Sequence, residues 1–334
     1  MISGFETEMV RANVELAEAA VILRNGGTVA FPTETVYGLG ANALDPQAVA
    51  RIFEIKQRPR FDPLIVHVSS VAQGQQVVRE WPDTARELVR RFWPGPLTLV
   101  LPKADVIPDI VTAGLPTVAL RMPAHPLALA LITEAGVPVA APSANRFGSI
   151  SPTTSAHVRM QLGEAVDRVI DGGPCRVGIE STVVALAEDG PMLLRAGGTP
   201  VEEIERLIGP VQRPGVDPDR PASPGQLARH YACRTPLSVC EDEREAPVFP
   251  RSGLLTLRPP LKRAGFEAVE VLSEMGDLQE AAANLFAALY RLDALGLDRI
   301  VAVKVPDVGL GRAINDRLRR AAHEASEPTG ADLP

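Results

Sequence analysis

Hydrophobic residues recur at helical spacing over residues 10–24, at Val14, Leu16, Ala17, Ala20, Val21 and Leu23, until Asn25-Gly26-Gly27 stops the pattern. The apolar run Thr28-Val29-Ala30-Phe31 then ends at Pro32, which predicts a short buried strand. The same reading predicts helices over 46–56, 84–92, 126–134 and 155–163. Between them it predicts strands over 64–68, 97–101, 118–121, 137–141, 168–171, 181–186 and 192–195. Gly38-Leu39-Gly40-Ala41-Asn42-Ala43 reads as a tight glycine turn over the sheet. Strands and helices mix without strict β-α-β alternation, so the expectation is an α/β fold with a mixed, twisted sheet.

After about Gly209 the periodicity lapses. Residues 210–225 are rich in Pro, Gly and charge and read as a linker. Beyond it come strand patterns at 237–240, 252–257, 268–272 and 299–304 and helix patterns at 277–295 and 314–324, a second and smaller α/β unit. The expected division is 1–209, a linker or lid over 210–235, and 236–330, with a frayed tail from Ser326.

Composition narrows the function. The 334 residues are 46% hydrophobic and 22% charged, enough for a large core and two units. The net charge of −7 argues against a whole-protein electrostatic grip on nucleic acid. Cys175, Cys233 and Cys240 form no CxxC pair, so neither a disulfide framework nor a zinc site is signalled. The N-terminal segment has no apolar signal core and no stretch is long enough to span a membrane; a soluble cytoplasmic protein is expected.

The usual catalytic signatures are missing. There is no Gly-Lys-Ser/Thr for a P-loop, no HExxH among the five histidines and no GxSxG. Gly38 to Ala43 spells a dinucleotide fingerprint, but no ribose-binding acid follows at the right distance. Instead, several strand ends lead at once into polar loops fixed by Pro or Gly: Pro32-Thr33-Glu34-Thr35, Lys56-Gln57-Arg58-Pro59, Pro142-Ser143-Ala144-Asn145, Gly178-Ile179-Glu180-Ser181-Thr182 and Leu194-Arg195. In α/β folds such loops converge on one crevice. Three cations, Lys56, Arg58 and Arg195, with nearby hydroxyls suit a triphosphate held without a P-loop, and Arg121 could clamp a carboxylate with both arms. Taken singly, each has a plainer reading: a helix-end charge for Lys56 or Arg58, a capping serine for Ser143, a core histidine for His67, a surface ion pair for Arg195.

Taken in order, these blocks are specific. The run Gly26 to Leu39 (GGTVAFPTETVYGL) resembles the signature of the YrdC/Sua5 family of threonylcarbamoyl-AMP synthases. So do Lys56-Gln57-Arg58-Pro59 with Pro63-Leu64-Ile65-Val66-His67, Trp93-Pro94-Gly95-Pro96-Leu97-Thr98, Val118-Ala119-Leu120-Arg121-Met122-Pro123, Pro142-Ser143-Ala144-Asn145, Ser151-Pro152-Thr153, Asp171-Gly172-Gly173 and Glu180-Ser181-Thr182-Val183. The resemblance covers about residues 10–210; the rest resembles the C-terminal domain of the Sua5 subtype, preceded by Ser223-Pro224-Gly225 and His230-Tyr231.

The resemblance implies an open, twisted mixed sheet enclosing a deep cavity, with a Rossmann-like second domain. It implies that the chain condenses L-threonine, bicarbonate and ATP (with Mg²⁺) into threonylcarbamoyl-AMP and pyrophosphate, a nucleotidyl transfer. A threonylcarbamoyl transferase complex would then modify adenosine 37 of tRNA. Carried over by motif, Lys56, Arg58, Ser143 and Asn145 would serve catalysis by holding phosphates. Asp62, Thr117, Ser151 and Arg195 would complete the ATP side, and His230 and Tyr231 would fold over it as a lid. Thr35, His67, Arg121 and Ser181 would hold threonine, and no side chain is expected to hold a metal. The family usually has Asn where Asp62 stands, and Gln226-Leu227-Ala228 replaces its usual Met-Lys-Tyr before the lid. Two other readings remain: a non-catalytic, RNA-binding or translation-associated relative, and a carbamoyl-transfer module, which would call for additional segments upstream of the first motif.

Overall fold

In chain order the first unit runs α1 (Gly4–Arg24), β1 (Val29–Phe31), β2 (Gly38–Asn42), α2 (Pro46–Lys56), β3 (Ile65–His67), α3 (Val71–Gln76) and α4 (Asp83–Phe92). It continues through β4 (Leu97–Pro102), α5 (Asp109–Thr112), β5 (Thr117–Arg121), α6 (Pro126–Ala135), β6 (Val139–Ala140), α7 (Ser155–Leu162), β7 (Arg168–Val169), β8 (Thr182–Ala187), β9 (Gly190–Arg195) and α8 (Val201–Ile208). The computed structural model describes residues 4–187, 189–213, 230–260 and 265–322. Ser223-Pro224-Gly225, the Gln226-Leu227-Ala228 departure, most of the expected linker and the tail from Ser326 lie outside the described residues.

The strands form one nine-stranded mixed sheet in the order β7-β1-β2-β6-β3-β5-β4-β8-β9. β1 pairs parallel with β7, β3 with β5, and β4 with β8. Apolar side chains of α2, α4 and α8 cover one face: Val49, Ile52 and Phe53, Leu88, and Ile204 pack with Val66, Leu99 and Leu120. α1 and α6 cover Val29, Phe31 and Val139 through Ala20, Leu23, Leu131 and Ile132. On the opposite face of β3, β5, β4 and β8, Ile65, Val100, Ala119, Val183 and Ala185 form a patch built of strand residues alone. Strand alternation places Ser181, Thr98, Thr117, Arg121 and His67 in phase with that patch. This helix-free face is where the polar residues gather.

The second unit, β10 (Leu237–Cys240), β11 (Ser252–Thr256), β12 (Ala268–Val271), α9 (Leu278–Ala294), β13 (Arg299–Val303) and α10 (Leu310–Ala321), has a four-stranded, all-parallel sheet in the order β10-β13-β11-β12. Its core is not self-contained. Val36, Ile150 and Ile179 of the first unit pack into the cluster formed by Leu285, Phe286 and Leu289 of α9. Gly178, at φ +74°, lets that loop touch α9: a Cβ there would stand 2.4 Å from the Ala283 Cα. The two units are therefore joined by apolar contact beside the loops that carry the motifs.

The expected glycine turn at Gly38 to Ala43 is corrected to a strand, β2. Glycine suits it because a Cβ on Gly40 would stand 2.7 Å from both the Phe31 ring and Val139. β7 is two residues long, shorter than the predicted 168–171 strand, and α3, α5 and α8 were not predicted.

Candidate active site

The site is built along two parallel strands. Arg58 and Asp62 lie in the loop leading into β3, and Thr117 opens β5, so these stand at the N-terminal ends. His67 and Arg121 are register partners at the C-terminal ends.

At the first end, α2 starts with Asp45 capping the Gln47 N–H and Pro46 at its first turn. It stops at Gln57, which adopts the left-handed conformation at φ 54°, ψ 41° while Arg58 N–H returns to the Phe53 carbonyl at 2.9 Å. That turn swings Lys56 and Arg58 inward. Lys56 Nζ donates to the Ser143 carbonyl at 2.6 Å and the Asn145 carbonyl at 2.5 Å, and the Lys56 carbonyl accepts from Phe147 N–H at 2.9 Å. Lys56 thus ties down the Ser143–Asn145 loop at both its ends. Arg58 donates to the Asp62 and Pro63 carbonyls at 3.2 and 3.0 Å, pairs with Asp62 Oδ2 at 2.8 Å and lies 5.8 Å from the Phe147 ring centre.

All three groups are buried. Burial, joined by the Arg58 charge, pushes the Lys56 ammonium well below its ordinary pKa. Burial pushes the Asp62 carboxyl up against the pull of Arg58, Lys56 and Arg195. Three cations therefore bear on one carboxylate, whose Oδ1 has no hydrogen-bond partner among the described residues. Asn145 donates to the Arg146 and Ser149 carbonyls at 2.8 Å each, which leaves its buried Oδ1 without a partner.

At the second end, Arg121 is held from three sides. It donates to the Gly95 carbonyl at 3.1 Å and to Thr35 Oγ1 at 2.8 Å, and pairs with Glu34 Oε1 at 2.6 Å. The Trp93-Pro94-Gly95-Pro96 corner, fixed by Trp93 Nε1 donating to the Leu97 carbonyl at 2.8 Å, supplies the first of these. Thr33 Oγ1 lies 2.8 Å from Thr35 Oγ1, and Ser181 Oγ lies 2.7 Å from Thr98 Oγ1 and accepts from Arg195 at 3.1 Å. Burial, with the Arg121 charge added, pushes His67 down to about 3. Nδ1 of the neutral ring lies 3.3 Å from the Ile65 carbonyl.

His230 and Tyr231 close the site from above. Arg58, Ser143, Thr35, His67, Arg121, Ser181, Arg195, His230 and Tyr231 all line one cavity, with Glu180, Thr33 and Val36. About 50 Å³ of it admits the centre of a water-sized sphere, where one water needs about 10–15 Å³. His230 and Tyr231 are among the side chains that bound this space. Lys56, Asn145 and Asp62 stand behind the wall. Ser151 also stands outside the lining, its Oγ donating to Glu180 Oε1 at 2.5 Å. Thr117 lines a neighbouring apolar pocket of about 550 Å³ with Val100, Ala185, Met192 and Leu194, on the same sheet face.

Sequence reading missed Glu34, Thr98 and Glu180 as site members, although all three lie inside quoted motifs. Arg317, which reaches Glu180 from α10 at 3.0 Å, carried no local signal at all.

The neutral histidines have a measurable consequence. His67 and His230 are both buried and both held far below 6.5, His230 by burial and then by Arg58, Lys56 and Arg195. The unfolded chain takes up these protons below about pH 6.5 and the folded chain does not, so stability is complete above that pH and falls below it. His67 then costs about 1.4 kcal/mol per pH unit, or about 2 kcal/mol between pH 6.5 and 5, and His230 adds to the loss in the same direction. Denaturant unfolding at pH 7 and pH 5 is expected to show this loss, with His67→Gln showing a shallower slope; equal slopes would mean that His67 is protonated in the folded chain.

A family model described as telomere recombination, the Sua5/YciO/YrdC family, matches residues 21–197. A model of the threonylcarbamoyl-AMP synthase C-terminal domain matches residues 199–323. The chain belongs to the Sua5/YrdC family. It is 44% identical to the threonylcarbamoyl-AMP synthase of Bacillus subtilis, over 94% of this chain and 95% of that one. It is 47% identical to the Pyrococcus abyssi synthase, over 91% and 93% of the two chains. The crystal structure of P. abyssi Sua5 complexed with L-threonine superposes with a TM-score of 0.84 at 44% identity, covering 92% of this chain and 94% of that one. Both Sua5 units are therefore present here, with the open mixed sheet and the smaller parallel sheet expected of them.

Proposed function

We propose that this Sua5-family chain is a threonylcarbamoyl-AMP synthase that condenses L-threonine, bicarbonate and ATP into threonylcarbamoyl-AMP and pyrophosphate by nucleotidyl transfer. The observation that carries the reading furthest is the pairing of two unlike polar ends along β3 and β5. One gathers the cations Lys56 and Arg58 around a single acid, the other holds Arg121 beside a neutral His67, and Arg195, bonded to Ser181, bears on both.

The chemistry follows from that asymmetry. Threonine's carboxylate pairs with Arg121, which Glu34 and Thr35 hold in a fixed orientation. Thr35 and Ser181 supply hydroxyl partners for the side chain of the amino acid. The free amine condenses with bicarbonate, its nitrogen bonding to the carbon as water leaves with one N–H proton, and becomes a carbamate; a neutral His67 lies beside it without adding a charge. The carbamate oxygen attacks the α-phosphorus of ATP, the bond to the bridging oxygen breaks, and pyrophosphate leaves. Arg58 and Arg195 neutralise charge on the phosphates, while Ser143 and Asn145 set their position on a loop that Lys56 anchors. No protein nucleophile takes part, because the substrate supplies its own. The closed cavity excludes water from a labile carbamate and a labile mixed anhydride.

Mg²⁺ enters this account on the triphosphate. Among the described residues no group of three or more His, Cys, Asp or Glu is placed to hold a metal, and Asp62, the one acid at the phosphate end, is ringed by cations. That donor set suits an ion carried by the nucleotide and its waters better than a resident one. No helix of the described residues is long and apolar enough to cross a membrane. We place the chain in the cytoplasm, with a threonylcarbamoyl transferase complex acting on tRNA as the consumer of its product.

The test is isotopic. With ¹³C-bicarbonate, threonine and ATP, the label is expected in a carbonyl joined to both threonine nitrogen and AMP. Label found only in free bicarbonate, with ATP consumed, would contradict the reading.

A further inference from the structure

Arg317 is among the most deeply buried large side chains of the chain, and it comes from the second unit. From α10 its Nε donates to Glu180 Oε2 at 3.0 Å and its Nη1 to the Ala196 carbonyl at 2.6 Å, both in the first unit. Its guanidinium lies 5.5 Å from the centre of the Tyr231 ring, the ring that roofs the cavity. The far side of Tyr231 meets Phe286 of α9, centroid to centroid 5.5 Å. One arginine thus touches the wall of the site, through Glu180, and its roof, through Tyr231.

Tyr231 needs holding. Its φ of 65° is a left-handed backbone conformation that disfavours a non-glycine residue, and its buried hydroxyl has no hydrogen-bond partner among the described residues. The ring is held by packing against Phe286 of α9, Arg317 of α10 and its neighbour His230, with Val36, Ile150 and Ile179 in the same cluster. Glu180 also depends on the contact. Burial pushes its carboxyl up, but Arg317, then Arg195 and Ser151, outweigh burial and keep it ionised. Packing alone would be served at least as well by an apolar side chain, since burying an ion pair carries a heavy desolvation penalty.

We propose that Arg317 is a positioning residue through which the C-terminal domain latches the His230–Tyr231 roof to the Glu180 wall, keeping water away from the α-phosphorus while the carbamate reacts. This rests on the synthase reading. With the latch weakened, the roof spends more time withdrawn, and water replaces the carbamate oxygen as attacker. Water's oxygen then bonds to the α-phosphorus, its proton passes to solvent, and AMP and pyrophosphate form without threonylcarbamoyl product.

The readout is a ratio, pyrophosphate released per threonylcarbamoyl-AMP formed in one quenched reaction. A fall in the amount of folded enzyme lowers both quantities together and leaves the ratio unchanged. Arg317→Gln removes the charge. Arg317→Lys keeps it but loses the planar fork and the stacking on Tyr231, and circular dichroism and thermal melting verify its fold. The ratio is expected to rise at least about threefold in Arg317→Lys and further in Arg317→Gln. A wild-type ratio in folded Arg317→Lys overturns the proposal, whatever its turnover. Wild-type enzyme that makes no threonylcarbamoyl-AMP would instead overturn the synthase reading, so the two failures are distinct.

Discussion

Arg58→Ala is expected to lower turnover by about 10²–10³, the loss typical of removing one preorganised charge donor from a closed site. The substitution also strands Asp62, whose buried carboxylate loses its 2.8 Å partner. Breaking a buried pair from one side costs about 3–5 kcal/mol, although Asp62, already pushed up by burial, relieves part of this by taking a proton. Stability and activity therefore fall together in the single variant, and the single variant alone cannot say why. Arg58→Ala combined with Asp62→Asn separates them. The neutral amide removes the stranded charge, so melting temperature recovers while turnover stays low. Recovery of both would mean that Arg58 serves the fold and not the substrate.

Lys56→Met is expected to cost about 3 kcal/mol of stability, from two buried charge-assisted hydrogen bonds at about 1.5–3 kcal/mol each, partly offset by the desolvation that an apolar chain avoids. Turnover is expected to fall about 10²-fold, because the Ser143–Asn145 loop loses its anchor and small misplacements of positioning groups carry losses of that size. Sequence reading gave Lys56 a phosphate contact. Its ammonium is directed instead at the Ser143 and Asn145 carbonyls. Lost activity at unchanged stability would return Lys56 to the phosphate, whereas joint loss supports the anchoring role.

What the sequence made legible was local. Thr28 to Phe31, Pro46 to Lys56 and the run ending at Arg121 were readable because apolar periodicity and Pro, Gly or Asp punctuation agree there, and each appears within a residue or two. β2 was misread because Gly38-Leu39-Gly40 has turn composition; what makes it a strand is the Phe31 ring and Val139 lying where a Gly40 Cβ would be. The motif blocks carried by the family resemblance meet in the fold, since Thr35, Arg58, His67, Arg121, Ser143, Ser181 and Arg195 all line one cavity. Which atoms they touch was not legible. Glu34 against Arg121 joins a loop to a strand 87 residues on by number, and Arg317 against Glu180 joins two units across 137 residues. No periodicity or spacing encodes such contacts; only the folded sheet and the shared apolar interface bring them together.

The measurement that bears most directly on the central claim is pyrophosphate release from ATP by the full chain, with threonine and bicarbonate each supplied and each withheld. Release that requires both, accompanied by threonylcarbamoyl-AMP, is the predicted result. Release that proceeds at the same rate without threonine, or no release from folded protein with all three substrates, would contradict it.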